Sequence, residues 1–482
     1  MERAAPPRHW VSLALVLAVA LVWRAPSFFD PPWVNDEGTY FAVAQAVDHG
    51  YRLYAGIWEN KPPAIYLLYA LVYHWLGASL PAVRVVAAAA ALLVTAGLTI
   101  SARSWLGSRA PVAALLAGLV LGVPFLEGTT ANAEIFLIAC TTWAVVLALR
   151  EHAALAGFLM GVAILFKVVA LFDAAALGLF LLLQPSLSVR RPASYVIGLA
   201  IPIAIVVGWA AQAGVLAALA RDALVYDLGY VAHANGGPVP WLLLLKLTIL
   251  AGLTAVLIAR PFPVLWLAWS AAGALWSGRP FGHYFLQVVP ALSIVVVMAL
   301  PHTGDTARFL RRWFVALPAL FVLAAGASAL AGWMLAVAGH DSIAARRLQW
   351  YANAVRLGVG QETYAQYSAE VDDHVERNIA LAAGVRRMPA GPLLVWGNVP
   401  WVYVLSGRLP ATPYTSAYRD PPVPGEVTAL RHAIEHRVAP VVLVINPPLP
   451  PLDGAGRALR EGYRLTGRVG AGAIYAVRAP RG

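Results

Sequence analysis

The chain runs to 482 residues, of which 60% are hydrophobic and only 12% charged, against roughly 25% charged in a soluble domain. So few charges cannot coat a soluble surface of this size, and disorder, a collagen-like chain and a disulfide scaffold are excluded as well. The net charge of +11 does not indicate nucleic acid, because no basic run exceeds two residues and no nucleic-acid motif is present; it is read as membrane topology instead.

A spanning helix needs about 20 apolar residues. Apolar segments fall near residues 10–28, 81–103, 110–126, 134–150, 153–166, 168–184, 193–212, 239–258, 262–277, 284–300 and 313–338. The first is preceded by Arg3 and Arg8, and Ala18-Val19-Ala20 resembles a cleavage site. The apolar run nevertheless continues to Trp23 and Phe28, which favours an uncleaved anchor. A further stretch, 63–80, follows Lys61-Pro62-Pro63 and ends at Gly77. It either crosses or lies along the membrane surface. With a cytoplasmic N-terminus and 63–80 at the surface, Arg103, Arg109, Arg150, Arg190, Arg191, Arg260, Arg308, Arg311 and Arg312 all fall in cytoplasmic loops. Were it to cross, that bias would break. The expected fold is a polytopic α-helical membrane protein of about 11 spans plus interfacial helices in residues 1–340.

Residues 341–482 are more polar. Leu393–Trp396 and Val441–Ile445 read as buried strands, and Tyr463–Val469 with Ala473–Val477 as a terminal hairpin around Gly470 and Gly472. Strands alternating with polar helical stretches predict a small C-terminal α/β domain, placed outside the cytoplasm by the same topology. The lone Cys140 sits in an apolar run, and no phosphate-binding glycine loop is present.

On this topology ten of the thirteen acids in residues 1–340, and the only three lysines, Lys61, Lys167 and Lys246, fall towards the outer face. Ionisable groups at a bilayer boundary are costly and are often functional where they converge. Asn35-Asp36-Glu37-Gly38-Thr39-Tyr40 opens an amphipathic helix; acids in its first turn complement the helix dipole without any catalytic role. The second charged cluster at that boundary, Glu59-Asn60-Lys61-Pro62-Pro63, tips the balance towards function. Glu134 heads another outer helix, and Lys167 joins two apolar segments where it can snorkel or meet a lipid phosphate. Arg279, His283 and Tyr284 form a phosphate cradle candidate. Asp173, Arg221, Asp222 and Asp227 are expected in solvated or interfacial positions.

Together, Asp36-Glu37-Gly38-Thr39-Tyr40, Glu59-Asn60-Lys61-Pro62-Pro63, Asn132-Ala133-Glu134 and His283-Tyr284-Phe285 before Pro290 resemble the bacterial branch of the GT-C glycosyltransferases. The nearest groups are family 39, related to protein O-mannosyltransferases, and the lipid A aminoarabinose transferases. The resemblance implies a polyprenyl-phosphate sugar as donor, membrane lipids as surroundings, and an extracytoplasmic acceptor that is a protein, lipid or glycan. It places the enzyme in the bacterial inner membrane. Asp36 maps to the general base, with Glu37 and Glu134 as supporting acids. Lys61 maps to the donor phosphate site, and Lys167, Arg279, His283 and Tyr284 are candidates beside it. Glu59 stands one position further from the lysine than the acid of the aminoarabinose transferases, and is the candidate for a divalent metal ion or the acceptor. A flippase or transporter without transferase activity, and an O-antigen polymerase or ligase-like enzyme, are the alternatives; the first expects charges near the bilayer midplane and internal repeats, and no repeat is found.

Overall fold

The structure is a computed structural model that describes residues 7–183, 189–234, 241–279, 281–300, 343–372, 374–415, 423–446, 448 and 454–478, with backbone alone for 7–9, 241–243 and 343–348. The expected span at 313–338 and the boundary at 340 lie outside these residues.

The N-terminal part is helical: α1 Pro7–Arg24, α2 Asn35–Asp48, α3 Ala64–Leu76, α4 Leu80–Ser101, α5 Arg103–Leu106, α6 Ala110–Leu121, α7 Ala133–Leu149 and α8 Ala153–Phe166. Then come α9 Ala170–Leu182, α10 Arg190–Gln212, α11 Leu216–Ala220, α12 Tyr226–Ala234, α13 Trp241–Leu257, α14 Phe262–Leu275 and, after a 3-10 turn at Gly282–Val288, α15 Val289–Ala299. Among the described residues, four stretches are long and apolar enough to cross a membrane: Trp10–Phe28, Leu80–Leu121, Arg190–Gln212 and Gly282–Ala299. Six further apolar helices have 10–17 residues. Leu80–Leu121 holds the two expected segments 81–103 and 110–126, which fold back so that Gly118 faces Thr95. Inside α4 the hydroxyls of Thr95, Thr99 and Ser101 donate to carbonyls one turn back, at 2.9 Å each, as apolar surroundings require.

Glycines set a very close contact between α8 and α10. A Cβ at Gly157 or Gly161 of α8 would stand 1.9 or 2.4 Å from the Tyr195 or Leu199 carbonyl oxygen of α10. This is the small-xxx-small packing that lets two helix backbones touch where the hydrophobic effect gives no drive. The stretch expected along the surface forms α3, with 13 residues, which reach only about 20 Å against a hydrocarbon core of about 30 Å.

The C-terminal strands appear as expected, in the order β1-β2-β4-β3, with β1 Leu393–Trp396, β2 Val441–Ile445, β3 Tyr463–Val469 and β4 Gly472–Val477. β1 and β2 are parallel, and the other two pairings are antiparallel. Side chains alternate between faces. Leu393, Val395, Val441 and Leu443 pack on Leu381 and Val385 of helix His374–Arg386. Leu394, Trp396, Val442 and Val444 pack on Leu430 and Ile434 from helix Glu426–Glu435 and on Leu459. Both faces are covered, which is why these two strands read as unbroken apolar runs.

This sheet region is docked on the helical part by buried polar contacts. The indole N–H of Trp350 donates to Asp30 Oδ1 at 2.8 Å, and Tyr367 donates to the same oxygen. Trp401 donates to the Val34 carbonyl at 2.8 Å and packs on Gly38, where a Cβ would lie 2.9 Å from its ring. Arg84 of α4 sits beneath, fully buried, donating to both carboxylate oxygens of Glu37 at 3.3 and 2.8 Å and to the carbonyls of Ser27, Asp30 and Pro31. Removing one partner of a buried pair strands the other charge, at a cost of about 3–5 kcal/mol. Arg84→Met is therefore expected to lower the thermal unfolding midpoint of the detergent-purified protein, and Glu37→Gln in that background to recover part of the loss. An unchanged midpoint in the single variant would contradict this role for Arg84.

Candidate functional site

Asp36 and Glu37 are neighbours in the first turn of α2, about 100° apart around the helix axis. The two carboxylates therefore leave in different directions. Glu37 turns into the interior, to Arg84 and to the backbone N–H of Ala131 at 2.9 Å. Asp36 turns to a cavity of 430 Å³ that it lines together with Lys61, Glu134, Lys167, Arg279 and His283. Its side chain is 31% exposed, and its Oδ2 stands 3.8 Å from the Lys61 ammonium and 3.3 Å from the Tyr40 hydroxyl that donates to it. Burial works to raise the Asp36 pKa, but Lys61, with His283 and Lys167, outweighs it and holds the carboxyl below its ordinary value.

Lys61 is fixed from its backbone. The Tyr54 hydroxyl donates to its carbonyl at 2.8 Å, Pro62 and Pro63 direct the chain into α3, and its ammonium lies 5.1 Å from the Tyr40 ring centre. Glu59, two residues earlier, does not line the cavity. It is 1% exposed and accepts from the Tyr66 hydroxyl at 2.6 Å. Burial pushes its carboxyl up to about 7, against the pull of Lys61.

The opposite wall is built by chain breaks between helices. Lys167 ends α8 in an extended conformation, φ −160° and ψ 132°, which turns its side chain out of the helix line. Its ammonium pairs with Glu134 in the first turn of α7 and lies 3.8 Å from the Tyr284 ring centre. His283 Nδ1 is 2.8 Å from Glu127 Oε2, and its Nε2 is 3.9 Å from Glu134 Oε1. Because an ionised carboxylate only accepts, Nδ1 carries the proton towards Glu127. Glu127 is held in turn by the Asn132 amide at 2.9 Å. The Arg279 guanidinium lies 4.1 Å from the Tyr230 ring centre.

Seven residues singled out in the sequence thus meet at one cavity: Asp36, Lys61, Glu134, Lys167, Arg279, His283 and Tyr284. Glu37 and Glu59 do not. Asn60, named in the sequence only within its charged cluster, and Asp227, expected in a solvated or interfacial position, also line it, with Tyr230, Gln287 and Asn398, which carried no signal in the sequence. Asp227 accepts from Asn60 at 3.4 Å, and burial pushes it up to about 6 against Lys61 and Lys167. Two expectations of solvated acids are corrected. Asp222 is 1% exposed and paired with Arg221 at 2.7 Å. Asp173 is 1% exposed, accepting from Trp266 and Ser270 at 2.7 Å each and from Gln287. Helix α14 and the 282–288 turn close over Asp173, a burial that local sequence does not record. Lys246 donates to the Leu275 and Trp276 carbonyls at the end of α14, at 2.7 and 3.3 Å.

The donor set does not fit a divalent metal ion. Each cavity carboxylate is matched to its own basic or amide partner. Among the described residues no three His, Cys, Asp or Glu side chains gather as ligands.

Residues 60–211 match the family described as dolichyl-phosphate-mannose-protein mannosyltransferase, a stretch that holds Lys61, Glu127, Glu134 and Lys167. The family match is thus of the kind the sequence motifs resemble. The fold is shared with ArnT from Cupriavidus metallidurans, at 17% identity and a TM-score of 0.55, over 98% of each chain. An Archaeoglobus fulgidus oligosaccharyltransferase aligns with 91% of this chain and 69% of its own, at 13% identity and a TM-score of 0.46. No curated protein matches the chain.

The Glu59 environment gives a signed pH dependence. Between about pH 4.5 and 7 the folded state keeps a proton that the unfolded state releases. The stability from this group is therefore present below 4.5 and lost as pH rises through about 7. Glu59→Gln, which keeps the neutral form, is expected to match the parent near pH 5 and to exceed it at pH 8 by on the order of 3 kcal/mol. Thermal unfolding at the two pH values measures this, and a midpoint lowered at both would contradict a neutral Glu59.

Proposed function

We propose that the chain is an integral-membrane glycosyltransferase that moves a sugar from a polyprenyl-phosphate donor to an acceptor hydroxyl or amine at the extracytoplasmic face, inverting the anomeric carbon. The observation that carries the proposal is the convergence of one accessible carboxylate, Asp36, with Lys61, Lys167 and Arg279 around a single cavity. The family match over 60–211 and the ArnT-like fold support it. The ArnT structure is described as bound to undecaprenyl phosphate, the same class of headgroup that the basic wall of this cavity suits.

A glycosyl phosphate carries its own leaving group, so the chain need supply no strong acid. The acceptor oxygen bonds to the anomeric carbon while its proton passes to Asp36. The bond from that carbon to the phosphate oxygen breaks, and the electron pair leaves on the polyprenyl phosphate. Lys61, Lys167, Arg279 and His283 meet that charge in a partly dry site, where fixed positive groups act most strongly. In such an oxocarbenium-like displacement the acceptor proton becomes acidic only as its oxygen bonds to carbon, so a base of lowered pKa suffices. When the donor phosphate engages Lys61, its hold on Asp36 weakens and the carboxylate becomes more basic.

The supporting acids divide by position. Glu134 holds Lys167 beside the phosphate site, while Glu37 acts from behind, fixing α2 through Arg84. Residues 1–340 form the membrane part and residues 341–482 an extracytoplasmic domain, in a bacterial inner membrane with the N-terminus cytoplasmic.

Asp36→Asn is expected to lower sugar transfer from a panel of radiolabelled polyprenyl-phosphate sugars by about 10²–10⁴-fold with the unfolding midpoint unchanged. Parent-like turnover would rule out Asp36 as base. Lys61→Ala is expected to raise the donor KM about tenfold, the loss of one charge-assisted contact. An unchanged donor KM would remove Lys61 from the phosphate site.

A further inference from the structure

A second cavity, of 300 Å³, lies between the chain entering α2 and the carboxyl ends of β1 and β2. Open sheets bind ligands in the crevice beyond the carboxyl ends of their parallel strands, and here β1 and β2 are the parallel pair. The residues that follow them, Asn398 and Asn446, line the cleft, joined by Asn35, Asn378 and Trp33. The indole N–H of Trp33 is buried with no hydrogen-bond partner among the described residues. The charged side chains at the rim have polar partners close by. His374 Nδ1 is 3.0 Å from Asp372 Oδ1, and Arg377 donates to Asn378 Oδ1 at 3.3 and 3.1 Å.

The chemistry of that lining is selective. A carboxamide offers both donors and an acceptor, which matches hydroxyls that do both, and an indole adds an apolar face for ring C–H groups. An anionic ligand would meet chiefly Arg377, whose guanidinium is already turned onto the Asn378 amide oxygen. An extended peptide would call for an open strand edge, yet the outer edge of β1 is taken: Leu393 donates to the Leu409 carbonyl and accepts from the Ala411 N–H, at 2.9 Å each. Asn398 lines both this cleft and the cavity that holds Asp36. The two spaces therefore meet at one side chain.

We infer that this cleft binds a saccharide, the sugar end of the acceptor, and delivers one of its hydroxyls past Asn398 to Asp36. The word acceptor rests on the transferase reading above; saccharide binding in the cleft does not.

The test uses the full chain in nanodiscs of phosphatidylethanolamine and phosphatidylglycerol. Saturation-transfer NMR is recorded with a panel of mono- to trisaccharides of glucose, galactose, mannose and N-acetylglucosamine, and with a Ser/Thr-containing pentapeptide. Saccharide ring protons are expected to give transfer signals that fall at least fivefold in Asn446→Leu and in Asn398→Leu, whose side chains are exposed and make no hydrogen bond among the described residues. No saccharide signal, a signal indifferent to both variants, or a peptide signal that depends on them would overturn the inference. Undecaprenyl phosphate is added to the same samples as a separate arm. Its binding is expected to weaken in Lys61→Ala and to stay unchanged in Asn446→Leu. Loss of that arm alone counts against the donor reading and leaves the saccharide cleft standing, while loss of the saccharide arm alone does the reverse.

Discussion

One buried guanidinium holds the parts of this structure in register. Arg84 donates to Glu37 and to three carbonyls of the chain between α1 and α2. Each of its carboxylate neighbours carries a further tie. Glu37 accepts from the backbone of Ala131, at the entry to the helix that bears Glu134. Asp30, 3.9 Å from Arg84, accepts from Trp350 and Tyr367 of the C-terminal part. A buried ion pair gives little net stability, but its geometry is strict because any misplacement strands a charge. The consequence here is positional: α2, α4, the 127–134 loop and the C-terminal part are fixed around the one helix turn that presents Asp36.

The charges at the cavity are arranged so that attraction stays local. Lys61 lies near four carboxyls, Asp36, Glu59, Asp227 and Glu134, whose full negative charge would compete with a phosphate for it. Burial decides the allocation. Glu59 and Asp227 are pushed up to about 7 and about 6, whereas Asp36 is held down. Near neutral pH Glu59 is thus only partly ionised, and Asp36 is the acid within ion-pair distance of the lysine, at 3.8 Å. Lys167 is matched by Glu134 and faces the Tyr284 ring, so both ammonium groups keep a charged partner on one side and open cavity on the other. That is the arrangement the proposed donor site requires.

Residues whose surroundings are set by their own neighbours in the chain were legible. The apolar runs of β1 and β2 are buried on both faces and needed no partner to be recognised, and the prolines after Lys61 announced a directed chain. The pairing of Asp36 with Lys61 followed from two charged clusters at one boundary. Asp36 and Glu37 were told apart in the sequence only through the family resemblance, since adjacent acids look alike until the partner 47 residues away is known. The burial of Glu59 and Asp173 was hidden for the same reason: a carboxylate enclosed by other helices carries no mark of it in a one-dimensional reading. Asp227 and Asn398 entered the site through tertiary contacts alone. The membrane count was legible only coarsely, because several apolar helices have 10–17 residues, and length alone does not assign a crossing to them.

The docking of the C-terminal part follows from the same economy of space. Gly38 lies two residues from Asp36, and a side chain there would collide with Trp401, whose indole is anchored to the Val34 carbonyl. Three residues before Trp401, Asn398 reaches the cavity. The short helix that carries Trp401 therefore does two things with one placement. It packs an aromatic ring on Gly38 of α2, and the segment just before it brings Asn398 to the cavity. A displacement of that helix would open the Gly38 contact and move Asn398 together. The cleft and the proposed base are consequently not independent features: the Trp401–Gly38 contact ties the segment that carries Asn398 to the helix that carries Asp36.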